Sequence, residues 1–204
     1  MNIRKLIIIL IIVAAVSTVI YFFPKNKIAN YPSDGNDIIA YGDSLVQGVG
    51  STNFGDFVSL LSKKIGKPII NLGHSGDTTA DGLARIDELD KYKPKVVLLL
   101  LGGNDYLKKI PQNETENNLI KMIKNIQARG AIVLLLGVRG GLLNDRFESM
   151  YSDLSNKYDT AYVSDILKGL VFDTKYMSDA IHPNNTGYNL IAEKVYPSLI
   201  KLLK

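Results

Sequence analysis

The sequence predicts an α/β fold: a three-layer α/β/α sandwich on a mainly parallel five-stranded sheet, preceded by an N-terminal hydrophobic helix. Three observations carry this expectation. Short apolar runs alternate with helix-period stretches from residue 37 to the end of the chain. Two of those runs, KVVLLLLG (95–102) and AIVLLLG (131–137), are almost wholly apolar, as in parallel strands covered on both faces. Polar clusters follow the runs, where an open α/β sheet collects its ligands at the carboxyl ends of its strands.

The elements follow in order. Leu6–Phe23 is an 18-residue stretch without charge behind Arg4 and Lys5. As a helix it would run about 27 Å, enough to span a bilayer. Residues 1–23 therefore read as a signal anchor, with Tyr21, Phe22 and Phe23 at the interface, or as a cleaved signal peptide. The anchor is the favoured reading, and either one implies export. Tethering to the cytoplasmic membrane would leave the rest of the chain outside the cytoplasm. Residues 24–36, PKNKIANYPSDGN, lack periodicity and read as a linker, so the domain is expected over 37–204. Strands are expected at DIIAY (37–41), KPIINL (67–72), the two apolar runs, and TAYVSD (160–165). The first helix, 54–66, puts Phe54, Phe57, Val58, Leu61 and Ile65 on one stripe and stops at Gly66. A second covers 79–90, with Leu83, Ile86 and Leu89 inward. A third begins at a capping-box-like Asn113…Glu116 and closes at Gly130. NDRFESMYSDLSNKY and TGYNLIAEKVYPSLIKLL complete the set, the latter expected to kink or divide at Pro197.

Composition removes several functions. The formal charge is +4, and setting aside Arg4 and Lys5 leaves about +2 from residues 6 to 204. No block of five basic residues and no basic stripe interleaved with aromatics is present, so nucleic acid is not an expected partner. The chain has no cysteine, which excludes disulfides, thiolate catalysis and lipid attachment through a thiol. Its two histidines, His74 and His182, argue against a multi-histidine metal site, and no metal or cofactor is expected. The oligomeric state is not legible.

The strand ends carry the chemistry. Strand one ends in Gly42-Asp43-Ser44-Leu45, strand two in NLGHSGDT and strand three in GGND; SDAIHPNNTG comes late in the chain. Singly these are ordinary: a serine after a strand is most often a helix cap, GGND passes for a turn and HPNN for a loop. In this order they resemble the SGNH hydrolase (GDSL esterase/lipase) family over about residues 37–200. NLGHSGDTTADGLARI and LLLLGGNDYLKKIPQNETENNL are similar to its bacterial lysophospholipase/acyl-CoA thioesterase/arylesterase group. The resemblance implies a flavodoxin-like fold. It implies Ser44 as nucleophile, His182 as general base and Asp179 as the partner of His182. Ser44, Gly76 and Asn104 would supply the oxyanion-hole donors, with Gly73 the weaker alternative to Gly76.

These residue types suit the task. A serine hydroxyl attacks at neutral pH only when a base takes its proton. Imidazole can accept that proton and return it to the leaving group. A carboxylate on the other ring nitrogen fixes the tautomer, and amide donors stabilise the tetrahedral oxyanion. Pro183 disfavours helix at His182, so Asp179 to His182 should form a turn. Among rivals, His74 lacks a suitably placed Asp. Asp43 is expected to brace its loop through the backbone, and Asp105 to cap the turn after Asn104. Asp77 sits behind a glycine. These carboxylates lack the spacing of a metal phosphoesterase. The Gly-x-Ser-x-Gly elbow is absent, because Val46 stands two after Ser44.

The resemblance implies esters and thioesters with medium or long acyl chains. Leu45, Tyr106, Leu107, Ile110 and the segment 138–147 are the expected walls of an apolar groove, with ordinary packing as their other reading. Val46, Gln47 and RGGLL depart from the family pattern. An O-deacetylase acting on acetylated carbohydrate or peptidoglycan is the alternative activity, and a catalytically silent binding module the other class. A membrane anchor would suit lysophospholipids by placing enzyme and lipid on one surface.

Overall fold

The computed structural model describes residues 27–139 and 146–204. The anchor or signal reading of residues 1–23 lies outside these, as do residues 140–145 of the expected groove segment. Among the described residues no helix is long and apolar enough to cross a membrane.

Five strands form the sheet: β1 (Asp37–Gly42), β2 (Ile69–Gly73), β3 (Pro94–Leu100), β4 (Ile132–Leu136) and β5 (Ala161–Val163). Their order is β2-β1-β3-β4-β5, and every pairing is parallel. The order reverses direction between β1 and β3, which opens a crevice at their carboxyl ends.

Alternation along the strands divides the core. Ile38, Ala40, Val96, Leu98, Leu100, Ile132, Leu134 and Leu136 face one layer with α2 (Phe57–Ile65) and α7 (Asn185–Leu202). Ile39, Tyr41, Val97, Leu99, Leu101, Val133 and Leu135 face the other. That second layer holds α5 (Gln112–Ala128) and α6 (Arg146–Lys157). Burial on both faces explains why these strands read as unbroken apolar runs. Short helices α1 (Ser44–Gln47), α3 (Thr79–Ala84) and α4 (Gly103–Leu107) sit at strand ends, and a 3₁₀ turn covers Ile86–Lys91.

Four local expectations are corrected. Helix α2 starts at Phe57, because the Asp56 side chain accepts from Ser59 N–H at 2.8 Å and fixes the start there. Phe54 lies outside it, 85% exposed, at φ 58°. The stretch 79–90 is two elements, broken at Arg85. Helix α5 begins after Pro111, whose carbonyl accepts from Glu114 and Thr115 N–H, so Asn113 and Glu116 lie inside the helix. Pro197 does not divide α7, which runs unbroken from Asn185 to Leu202.

Residues 27–36 have no helix or strand but are held against the fold. Ala29 N–H donates to Asp159 O at 2.8 Å, and Asn30 Nδ2 to Ala131 O at 3.0 Å. Ser33 Oγ donates to Gly130 O at 2.7 Å, and Asn36 N–H to Lys93 O at 2.8 Å. Each acceptor just precedes β5, β4 or β3. The strap therefore crosses beneath the amino ends of the strands, opposite the crevice.

Candidate active site

The site starts from how β1 ends. Asp43 caps α1: its Oδ1 accepts from Leu45 N–H at 3.0 Å, which turns the chain sharply and leaves Ser44 at the strand mouth, 7% exposed. Asp43 is itself 2% exposed, and burial pushes its carboxyl up to about 7. Gly48 and Gly50, both at φ 91°, let the chain double back behind the serine.

His182 arrives from a turn just before α7. Asp179 Oδ1 accepts from Ile181 N–H and His182 N–H, both at 2.8 Å. Asp179 Oδ2 lies 2.8 Å from His182 Nδ1. The hydrogen bond from His182, joined by that from Ile181 N–H, holds the Asp179 carboxyl down at about 2. An ionised carboxylate only accepts, so Nδ1 carries the hydrogen and Nε2 presents its lone pair. Nε2 stands 3.0 Å from Ser44 Oγ, across 138 positions of sequence. The turn is tied to the serine loop: Tyr188 Oη donates to Val49 O at 2.7 Å, and Thr52 N–H to Asn185 Oδ1 at 2.9 Å. Asn184 caps α7 by accepting from Thr186 and Gly187 N–H.

Beside the pair stand the loops after β2 and β3. Gly76 sits at φ 86°, a conformation only glycine adopts freely. Its carbonyl accepts from Lys108 Nζ at 3.0 Å. Asn104 Nδ2 donates to Asp77 O at 2.9 Å, which orients the amide. Asp105 is fully buried and accepts from Thr79 N–H at 2.8 Å and Thr115 Oγ1 at 3.1 Å. It therefore fastens the Asn104 turn to α3 and α5, rather than merely capping it.

Of the expected groove residues, Leu45 is 5% exposed and packs in the core. Tyr106 and Leu107 are exposed on α4, and Ile110 is half-buried. Tyr106 packs edge-on against Phe147 with ring centroids 5.7 Å apart. His74 is exposed just after β2.

Two residues that bear on the site went unremarked or unexplained in the sequence. Gln47 Oε1 accepts from Ser75 N–H at 2.9 Å, holding the glycine loop against α1. Arg85 donates to Asp77 Oδ2 at 2.7 Å, Gly42 O at 2.9 Å and Leu72 O at 3.2 Å, with its guanidinium 4.3 Å from the Tyr41 ring centre. It joins the ends of β1 and β2 to the loop carrying Gly76.

Comparison with known proteins agrees with this geometry. Residues 40–190 match the model of the GDSL-like Lipase/Acylhydrolase family. Esterase TesA of Pseudomonas aeruginosa is 33% identical over 178 residues, which is 81% of this chain and 89% of the relative. Thioesterase 1/protease 1/lysophospholipase L1 of Escherichia coli K12 is 30% identical, covering 76% of this chain and 79% of its own length. The crystal structure of the psychrotrophic esterase EstA from a Pseudoalteromonas species, inhibited by monoethylphosphonate, superimposes with a TM-score of 0.75. It shares 28% identity and covers 82% of this chain and 98% of that one.

Proposed function

The chain belongs to the GDSL-like lipase/acylhydrolase family, and on that premise we propose that it hydrolyses carboxylic esters and thioesters through an acyl-enzyme on Ser44. The observation that carries this reading is the continuous Asp179–His182–Ser44 relay at 2.8 and 3.0 Å. In it, Nε2 accepts the Ser44 proton as Oγ attacks the acyl carbon, and Asp179 stabilises the imidazolium. The Ser44 and Gly76 N–H groups and the second amide hydrogen of Asn104 receive the developing oxyanion. The imidazolium then protonates the departing alkoxide or thiolate. Water, deprotonated by the same nitrogen, releases the acid and restores Ser44. The residues themselves supply every proton transfer, so the reaction asks for no cofactor.

The names of the relatives, esterase, thioesterase and lysophospholipase, support acyl substrates. The apolar side chains of Tyr106, Leu107 and Ile110 offer such chains a ledge beside Asn104. Arg4, Lys5 and the uncharged stretch after them support export, with residues 6–23 kept as an anchor in the cytoplasmic membrane and 37–204 as the hydrolase domain.

A fluorophosphonate should label the protein, and Ser44→Ala should abolish labelling. A series of p-nitrophenyl esters from acetyl to palmitoyl then defines the acyl preference. Labelling that persists in Ser44→Ala overturns the assignment. Activity confined to acetyl esters moves the substrate class to O-acetyl groups.

A further inference from the structure

The strap beneath the sheet limits where the catalytic rim can go. Its hydrogen bonds, from Ala29 to Asp159, Asn30 to Ala131, Ser33 to Gly130 and Asn36 to Lys93, all lie at the amino ends of the strands. Ile28 packs against the core, and Tyr31 Oη donates to Lys201 O near the far end of α7. His182 and Asn185 stand at the opposite end of that helix. From Lys201 back to Asn185 is about 24 Å at roughly 1.5 Å per residue.

The spacer is short. From Phe23, the last residue of the uncharged stretch, to Ile28 there are five chain steps. Whatever their conformation, these reach at most ~18 Å at about 3.3–3.6 Å per residue. Bringing the rim down onto the surface from which the chain emerges would require the domain to invert. The spacer would then have to climb the full depth of the sheet, a longer path than it can cover. Only release of the strap would lengthen it, at the expense of every contact named above.

We propose that the reaction centre faces away from the bilayer that residues 6–23 occupy. Its substrates are then acyl esters arriving from the aqueous side, and lipids of the anchoring membrane are excluded. This rests on the hydrolase reading and on the anchor. It reverses the expectation that tethering brings enzyme and lysophospholipid onto one surface.

The test uses the full chain reconstituted in phosphatidylcholine vesicles. Two probes are supplied: soluble p-nitrophenyl butyrate, and a fluorogenic butyrate ester fixed to the headgroup of a two-chain lipid in the same vesicles. A second variant carries a Gly/Ser insertion of about 30 residues between Asn26 and Lys27, adding roughly 30 Å of reach. Both forms should float with the vesicles and hydrolyse the soluble ester equally. The lipid-fixed ester should be turned over at least tenfold faster by the long-spacer form. Equal rates on the lipid-fixed ester, whether high or low, overturn the proposal, as does failure of the full chain to float. Loss of soluble-ester hydrolysis in both forms overturns the hydrolase reading itself, and is told apart by that probe.

Discussion

Asn104 commits one amide hydrogen to Asp77 O, which in the proposed mechanism leaves the other for the oxyanion. Asn104→Ala removes a donor to the oxyanion while leaving the Ser44–His182 pair in place. We expect kcat to fall by about 10²–10³ with little change in KM, since the lost interaction forms with the transition state. Steady-state kinetics on p-nitrophenyl butyrate check this, and a change confined to KM contradicts it. Asp43 shows a different residue-scale effect. Folded, it keeps its proton to about pH 7, whereas an unfolded Asp loses it near pH 4. Between those values the folded state binds more protons, so this group makes stability fall as pH rises through the window. Asp43→Asn keeps an acceptor for Leu45 N–H and cannot ionise. Urea unfolding at pH 5 and pH 8 should show the parent losing on the order of 1–4 kcal/mol more than the variant over that interval. Ser44, Asn104, Asp179 and His182 were legible because each sits in a short motif whose chemistry is local. Gln47 and Arg85 were not, because their partners, Ser75, Asp77, Gly42 and Leu72, become neighbours only when three strand ends converge.

The turn carrying His182 depends on how closely the serine loop can approach it. A Cβ at Gly50 would stand 2.3 Å from Ser178 Oγ and 2.5 Å from Pro183 O, and the position has φ 91°. Gly50→Ala should therefore push the turn outward and lengthen the 3.0 Å gap between Nε2 and Oγ. We expect kcat/KM to drop at least tenfold and fluorophosphonate labelling to slow in parallel. Gly66→Ala is the control: its φ is also positive, 68°, but nothing lies within 4 Å of the added Cβ. It should cost about 1 kcal/mol of stability and leave kcat unchanged. Elements were legible where the pattern was decisive, as in β3 and β4. They were misjudged where a tertiary partner overrode it. Arg85 breaks a helical period because its guanidinium is claimed by two carbonyls and Asp77. Asn113 looks like a cap, but Pro111 has already begun the helix. Pro197 lacks the hydrogen a helix would use, yet α7 continues because its Tyr188, Ile191, Val195, Leu199 and Leu202 face is buried throughout.

At the scale of the molecule the two ends of the sheet do different work. The carboxyl ends gather a reactive crevice out of loops from β1, β2 and β3 and the α7 turn. The amino ends are closed by the strap, whose composition gave no sign of order because its partners are backbone carbonyls from three distant strand starts. Hydrogen bonds from Ala29, Asn30, Tyr31, Ser33 and Asn36 and the packing of Ile28 distinguish a chain that starts at Lys27 from one that starts at Asp37. Each bond is worth about 0.5–1.5 kcal/mol net, so removing residues 27–36 should destabilise the fold. Ser44 and His182 lie at the other end of the same sheet and do not touch the strap. The shortened chain should therefore keep the kcat of the longer one at low temperature while its urea midpoint falls. If both midpoints coincide, the strap is only laid against the domain and can be drawn off it. A strap that detaches so easily would free about ten more residues of reach, and the catalytic rim would no longer be held away from the membrane.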